Sequence, residues 1–356
     1  MGLSVGCGGV GLSAQDEPKP QDEPIHTLHV YANLLQVPTL VLGRNRERLK
    51  TPIAESRFSV SIDSGPWYRV THVRPEGDDP ISLAILLDPS GDAAELMPKI
   101  DDAIAALAPL SLHPKDHVSI FGLDCTLVGS LNDAPADSLR LKTAVERALG
   151  PWTIRQQNKH EPECRASLHL WDVLAFISRE LGKLPGRRVI LAVSQGDDKG
   201  SVHPWNEVRF YAQTMGVAVF GLSYIPQSPR ATGRAYTQRN TEDPFRSLCE
   251  LSGGIVMRAD RGSLEDALKD FVTKVRERYI VEFPRPTKSL PGGHAEMLPG
   301  EHGMEVKIAK GSYFIRPAGI SVPIPDAALL ADPTTVPSDP SLTPQPGTRK
   351  PLTQPQ

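Results

Sequence analysis

The apolar run Leu83-Ala84-Ile85-Leu86-Leu87 ends abruptly in Asp88-Pro89-Ser90-Gly91-Asp92. Two carboxylates and a hydroxyl crowded onto one loop are hard oxygen donors, a set that suits Mg²⁺ or Ca²⁺. The run before them suits a strand buried on both faces, as in a parallel sheet. Asp88, Ser90 and Asp92 then fall at the strand's carboxyl end, where open α/β sheets place their ligands. Asp88 is expected to face outward there. A second apolar run, Arg188 to Ser194, leads into Gln195-Gly196-Asp197-Asp198, whose side chains would stand on the same rim.

Other chemistry is thin. Ser194 follows a strand, but no Gly-x-Ser-x-Gly surrounds it. His160, His169 and His203 could supply a base, so a hydrolase using Ser or His at the sheet's carboxyl edge stands as an alternative. No phosphate loop or dinucleotide fingerprint is present. The cysteines lack CxxC spacing for zinc. If Cys7 leaves with a leader, three remain, and an odd number argues against a fully paired framework. Basic residues gather at Arg44–Arg48, in an expected hairpin loop, and at Lys274, Arg276 and Arg278, on an expected solvated helix face. No aromatics interleave with them as in a single-strand binder. With a net charge of −3, no global field draws nucleic acid. No stretch approaches the ~20 apolar residues of a membrane helix.

The elements that must hold the rim follow from periodicity. Residues 1–24 read as the end of a secretory signal, cleaved after Ala14, and an acidic Pro-rich linker. A secreted or periplasmic location follows. Residues 25–80 read as a small β segment, in which Phe58, Val60 and Ile62 alternate with polar residues before the turn Ser64-Gly65-Pro66. Residues 81–278 alternate strands and helices, which predicts a doubly wound, mostly parallel α/β sheet. Within it, Gly150 to Arg165 is polar and reads as a loop on the upper rim. Ser263 to Asp266 resembles a capping box for the last helix. Residues 279–320 are again β, and 321–356 form a Pro-rich tail expected to be disordered. Trp152, Trp171 and Trp205 fall near the rim, with Trp171 expected to pack under its helix.

With these elements placed, residues 25–320 resemble a von Willebrand factor A domain, and more narrowly the related proteins abundant in acidobacteria. The likeness rests on NLLQVP, ILLDPS, GRRVILAVSQGDD, GVAVFGLS, the helix before Leu251-Ser252-Gly253-Gly254, RERYIVEF and GSYFIR. It implies a metal-ion-dependent adhesion site built from three loops. The first, Asp-x-Ser-x-Ser, reads Asp88-Pro89-Ser90-Gly91-Asp92, with Asp92 replacing a serine. The second has a threonine before Leu-aromatic-Asp; Leu170-Trp171-Asp172 is present, but only Ser167 could stand in for the threonine. The third, Ser-Asp-Gly, reads Ser194-Gln195-Gly196, so an aspartate has become an amide. The resemblance therefore implies a protein-binding or adhesion module with a degenerate metal site. Its expected donors are Asp88, Ser90, Asp92 and Ser167, holding no cation or a weakly bound Mg²⁺ or Ca²⁺. The partner is expected to be a protein docking on Gln195, Asp197, Asp198 and the loop 224–240. A structural envelope scaffold is a further alternative.

Overall fold

The computed structural model describes residues 34–62, 64–158, 169–225, 243–284 and 304–320, all within the unit Asn33–Gln356. The expected leader at residues 1–14, Ser167, positions 226–240 and residues 321–356 lie outside the described residues. The elements run β1 (Leu34–Gly43), β2 (Phe58–Ile62), β3 (Tyr68–Arg69), β4 (His72–Pro75), β5 (Ile81–Leu87), α1 (Met97–Ala105), α2 (Leu107–Leu110), β6 (His117–Leu123) and β7 (Leu127–Pro135). Then follow α3 (Ser138–Gln157), α4 (Leu170–Gly182), β8 (Arg187–Val193), α5 (Trp205–Thr214), β9 (Val217–Tyr224), α6 (Pro244–Leu251), β10 (Val256–Ala259), α7 (Leu264–Arg276), β11 (Tyr279–Pro284), β12 (Met304–Ile308) and β13 (Tyr313–Pro317).

The central sheet has the order β10-β9-β8-β5-β6-β7. Five strands are parallel, and β7 pairs antiparallel with β6 at one edge. Every residue of β5 is buried, as a strand covered on both faces must be. Its side chains alternate between two cores. Leu83, Ile85 and Leu87 pack with α1, α3 and α7, while Ala84 and Leu86 pack with α4, α5 and α6. The chain leaves β5 for β6 on one side and returns to β8 on the other. The boundary between β5 and β8 is thus the topological switch point, where such sheets bind ligands.

The two flanking β segments are hydrogen bonded to each other. β1 lies between β11 and β13, with β4 beyond β11, and β2 lies between β12 and β3. They share a third core around Val37, Phe58, Val60, Val281 and Phe283. Sequence periodicity reports neither this long-range pairing nor the division of residues 68–75 between β3 in one sheet and β4 in the other.

Two local expectations are corrected, and one strand is added. Residues Gly150–Gln157 continue α3 rather than forming a loop, even though Pro151 lies inside the helix. Strand β7 is not announced by the sequence, because an edge strand exposed on one side can carry Asn132, Asp133 and Pro135. Ser263 makes no side-chain cap of α7; its hydroxyl instead donates to Asp260 Oδ1 at 2.8 Å.

Candidate functional site

At the switch point the backbone continues the ladder past the strand ends. Asp88 N–H donates to the Val193 carbonyl at 3.0 Å, and Ser194 N–H to the Leu222 carbonyl at 3.1 Å. Asp88 and Ser194 therefore meet across β5 and β8. The Ser194 hydroxyl donates to Asp88 Oδ2 at 2.6 Å, Ser90 N–H donates to Asp88 Oδ1 at 3.1 Å, and Gly196 N–H donates to Ser194 Oγ at 2.9 Å. One carboxylate thus ties the first and third loops together.

Asp88 lies on the expected edge, but the expectation that it faces outward is corrected: it is 1% exposed. The loops fold over it, because its oxygens are the acceptors those loops need. Burial pushes its carboxyl above the ordinary range. The hydrogen bonds from Ser194 and Ser90 pull it down and the charge of Asp197 raises it further, leaving a net rise. Ser90 Oγ adds to the same field without meeting hydrogen-bond geometry; it is buried and has no hydrogen-bond partner among the described residues.

The remaining candidates separate. Asp92 is exposed in a short turn, Gly91–Glu95. A Cβ on Gly91 would stand 3.0 Å from Asp197 Oδ2, so Asp197 leans over the first loop, toward the site. Its side chain stays exposed, on the rim where the sequence places it. Asp198 turns inward. Its Oδ1 accepts from Trp171 N–H at 3.2 Å and from the Ser201 hydroxyl at 2.6 Å, a carboxylate at the positive start of α4. Gln195 aims its amide at the Tyr224 carbonyl, 3.4 Å away. Asp172 accepts from Val202 and His203 N–H at 2.9 and 3.1 Å. These bonds and His203 outweigh the effect of its burial and hold its carboxyl below the ordinary range. Ser167 lies outside the described residues. Trp171 is buried in the core, and Trp152 and Trp205 are partly buried against it.

The described residues do not fit a divalent cation. Both Asp88 oxygens are engaged by the loops, Gln195 supplies no charge, and Asp172 and Asp198 hold backbone elsewhere. Among the described residues no group of three or more His, Cys, Asp or Glu is placed to hold a metal ion. Among the described residues Ser90 Oγ is buried without a hydrogen-bond partner, and Asp197, over the first loop, is exposed. A hydrolytic arrangement is equally hard to build here. The Ser194 hydroxyl is buried and bonded to Asp88, whereas His203 Nδ1 faces Asp172 Oδ1 at 2.9 Å.

No family model matches the chain, and no curated protein matches it. Solved structures do. Conserved hypothetical protein BatB from Bacteroides thetaiotaomicron is 18% identical over 55% of this chain and 98% of its own, with a TM-score of 0.39. An aerotolerance-related membrane protein from Bacteroides fragilis is 16% identical over 55% and 99%, with a TM-score of 0.38. Proximal thread matrix protein 1 from the mussel byssus is 10% identical over 61% and 51%, with a TM-score of 0.42. The fold described above is the doubly wound, mostly parallel arrangement that the resemblance to von Willebrand factor A domains implies. Among the described residues no helix is long and apolar enough to cross a membrane.

Proposed function

We propose that this chain is an extracytoplasmic recognition module that engages a protein partner through the loops at the carboxyl edge of its central sheet, and that its degenerate metal site works without a cation. The observation that carries this reading is the Asp88–Ser194 bond at the switch point. It fixes two loops in the crevice where this topology binds ligands, while leaving Ser90 Oγ unsatisfied. Preorganised loops of this kind lower the ordering cost of association. The extracytoplasmic part is supported by Cys125, which is disulfide-bonded, since disulfides persist in oxidising compartments. A recognition role rather than an enzymatic one is supported by the burial of Ser194, which gives a substrate carbonyl no access to its hydroxyl.

A photo-crosslinking residue placed at Asp92, on the rim, should capture a discrete partner from envelope extract. The same residue at Leu139, exposed at the opposite edge, should not. Identical adducts from both positions, or none from position 92, would remove the rim as the binding surface. Adding EDTA should leave the adduct unchanged; its loss would restore a cation to the site.

A further inference from the structure

Beside the switch point, a cavity of about 490 Å³ opens between α6 and the free edge of β10. Arg46, Arg246 and Arg258 line it, with Gln195, Ser223 and Asp243. These groups come from distant parts of the chain. Arg46 sits in the turn after β1 with φ of 66°, a conformation uncommon for a residue with a side chain and maintained only where the surroundings impose it. Its guanidinium lies 4.7 Å from the Phe314 ring centre, and that of Arg316 lies 4.1 Å away.

Among the described residues the charges around this cavity do not balance. Arg46, Arg246 and Arg316 all converge on Glu250, at 2.6, 2.8 and 2.7 Å. Burial pushes the Glu250 carboxyl up, but these three arginines outweigh it and hold the group below its ordinary range, so it is ionised. Arg258 is exposed and has no ion-pair partner among the described residues. Asp243 accepts Arg246 N–H at 3.0 Å as the cap of α6. Among the described residues, then, three guanidiniums line the cavity with one carboxylate, Asp243, and Arg316 and Glu250 stand beside them, both carboxylates already engaged.

We propose that this cavity receives an acidic side chain of a protein partner. Guanidinium forks match a carboxylate in plane and spacing, and the bonds are charge-assisted. Phe245 and Val256 also line the cavity and offer apolar surface to the methylenes of an incoming Glu or Asp. A phosphate group is a poorer match. Phosphate cradles present converging backbone N–H groups, and here Asp243 already occupies the start of α6. The choice of a protein as the source of the carboxylate rests on the recognition reading above; the anion preference rests on the arginines alone.

The test uses the full chain and fluorescein-labelled hexaglutamate, read by fluorescence anisotropy, with hexaglutamine as control. Hexaglutamate should bind saturably and weaken with added salt, and hexaglutamine should not bind. Arg258→Gln and Arg246→Gln should each weaken binding by about tenfold or more, while Arg179→Gln on α4 leaves it unchanged. Arg258 is exposed and has no ion-pair partner among the described residues, so its variant should melt with the wild type and separate binding from folding. Equal binding of the two peptides, or wild-type affinity in Arg258→Gln, overturns the proposal. Displacement of hexaglutamate by inorganic phosphate at lower concentration than by glutamate also overturns it. The crosslink at position 92 is read separately. An adduct there without hexaglutamate binding rejects the cavity alone. Hexaglutamate binding without an adduct supports the cavity and rejects the rim.

Discussion

The two edges of the central sheet are built to different standards. At the amino edge, buried charges face their opposites. Arg278 and Glu76 are 1% and 0% exposed and meet through two contacts of 2.7 and 2.8 Å. Arg187, just as buried, holds Asp79 at 2.8 Å and Gln36 at 2.9 Å, and Gln36 in turn donates to Glu282 at 2.7 Å. Arg276 pairs with Asp116, which also accepts Ile81 and His113 N–H at 2.9 and 2.6 Å. This network joins the β1–β11 layer to the α/β layer. At the carboxyl edge the pattern reverses. Asp88 is buried without a cationic partner in hydrogen-bond contact, Ser90 Oγ has no hydrogen-bond partner, and Arg258 has no counter-ion among the described residues. Buried charges meet their opposites where the sheet is anchored, although Arg276 Nε has no hydrogen-bond partner among the described residues, and they lack them where this topology binds ligands, a distribution that suits a scaffold carrying a site.

The contrast is broken most directly at the anchored edge. Arg278→Ala leaves Glu76 buried and unpaired and should cost about 3–5 kcal/mol, measured by urea unfolding. Replacing both partners with apolar residues should cost much less, because no charge is then stranded. If Arg278→Ala unfolds at the wild-type midpoint, the amino edge is not the anchor described here. Next in size is Gly196→Ala in the third loop. Gly196 has φ of 82°, and a Cβ there would stand 2.4 Å from the Cβ of Phe245. Strain and overpacking together should cost about 1–3 kcal/mol, and the loop should shift. A variant as stable as the wild type would show that this turn is loosely held.

Asp88 tests whether the carboxyl edge carries electrostatic cost. Its carboxyl is raised above the ordinary 3.8 by burial. The folded chain therefore holds that proton more tightly than the unfolded chain does. Between 3.8 and the raised folded value, stability from this group falls as pH rises, and above that window the penalty is constant. Asp88→Asn removes this slope. Its amide oxygen can still accept from Ser90 N–H, and Ser194 Oγ can accept from its NH₂, so the change at neutral pH should stay within about 1 kcal/mol. Urea unfolding of both chains across pH 3 to 8 should give a difference that falls with rising pH and then levels. A difference that rises would reverse the sign assigned to Asp88.

The sequence made the parallel sheet legible because its strands are continuous apolar runs and its helices carry apolar stripes; β5 and β8 needed nothing more. It did not reveal β7, an edge strand with polar positions, or the pairing of β1 with β11, which joins residues more than two hundred positions apart. The site divided the same way. Asp88 and Ser194 were visible as residues at strand ends. Their mutual bond, the burial of Asp88 and the approach of Asp197 to the first loop depend on how two loops close over each other, which no local pattern encodes. The arginine cavity was harder still, since Arg46 read as part of a basic hairpin loop and Arg258 as the end of a short strand.

Gln195 offers the sharpest change. In the resembled pattern its position is an aspartate, and here the amide leaves the switch point one negative charge short. Gln195→Asp should add a third carboxylate to Asp88, Asp197 and the Ser90 hydroxyl, the kind of cluster a hard cation requires. Ligand that binds only the folded chain stabilises it by mass action, so 10 mM Mg²⁺ with a millimolar dissociation constant should add about 1.4 kcal/mol. Without Mg²⁺ the added carboxylate should destabilise the variant through repulsion from Asp88 and Asp197. The wild type should show neither effect. Thermal melts with and without Mg²⁺, Ca²⁺ and Mn²⁺ distinguish the cases. If the wild type already gains stability from these cations, the site is not degenerate. If Gln195→Asp gains nothing, the geometry of the loops, rather than the missing charge, is what excludes the metal.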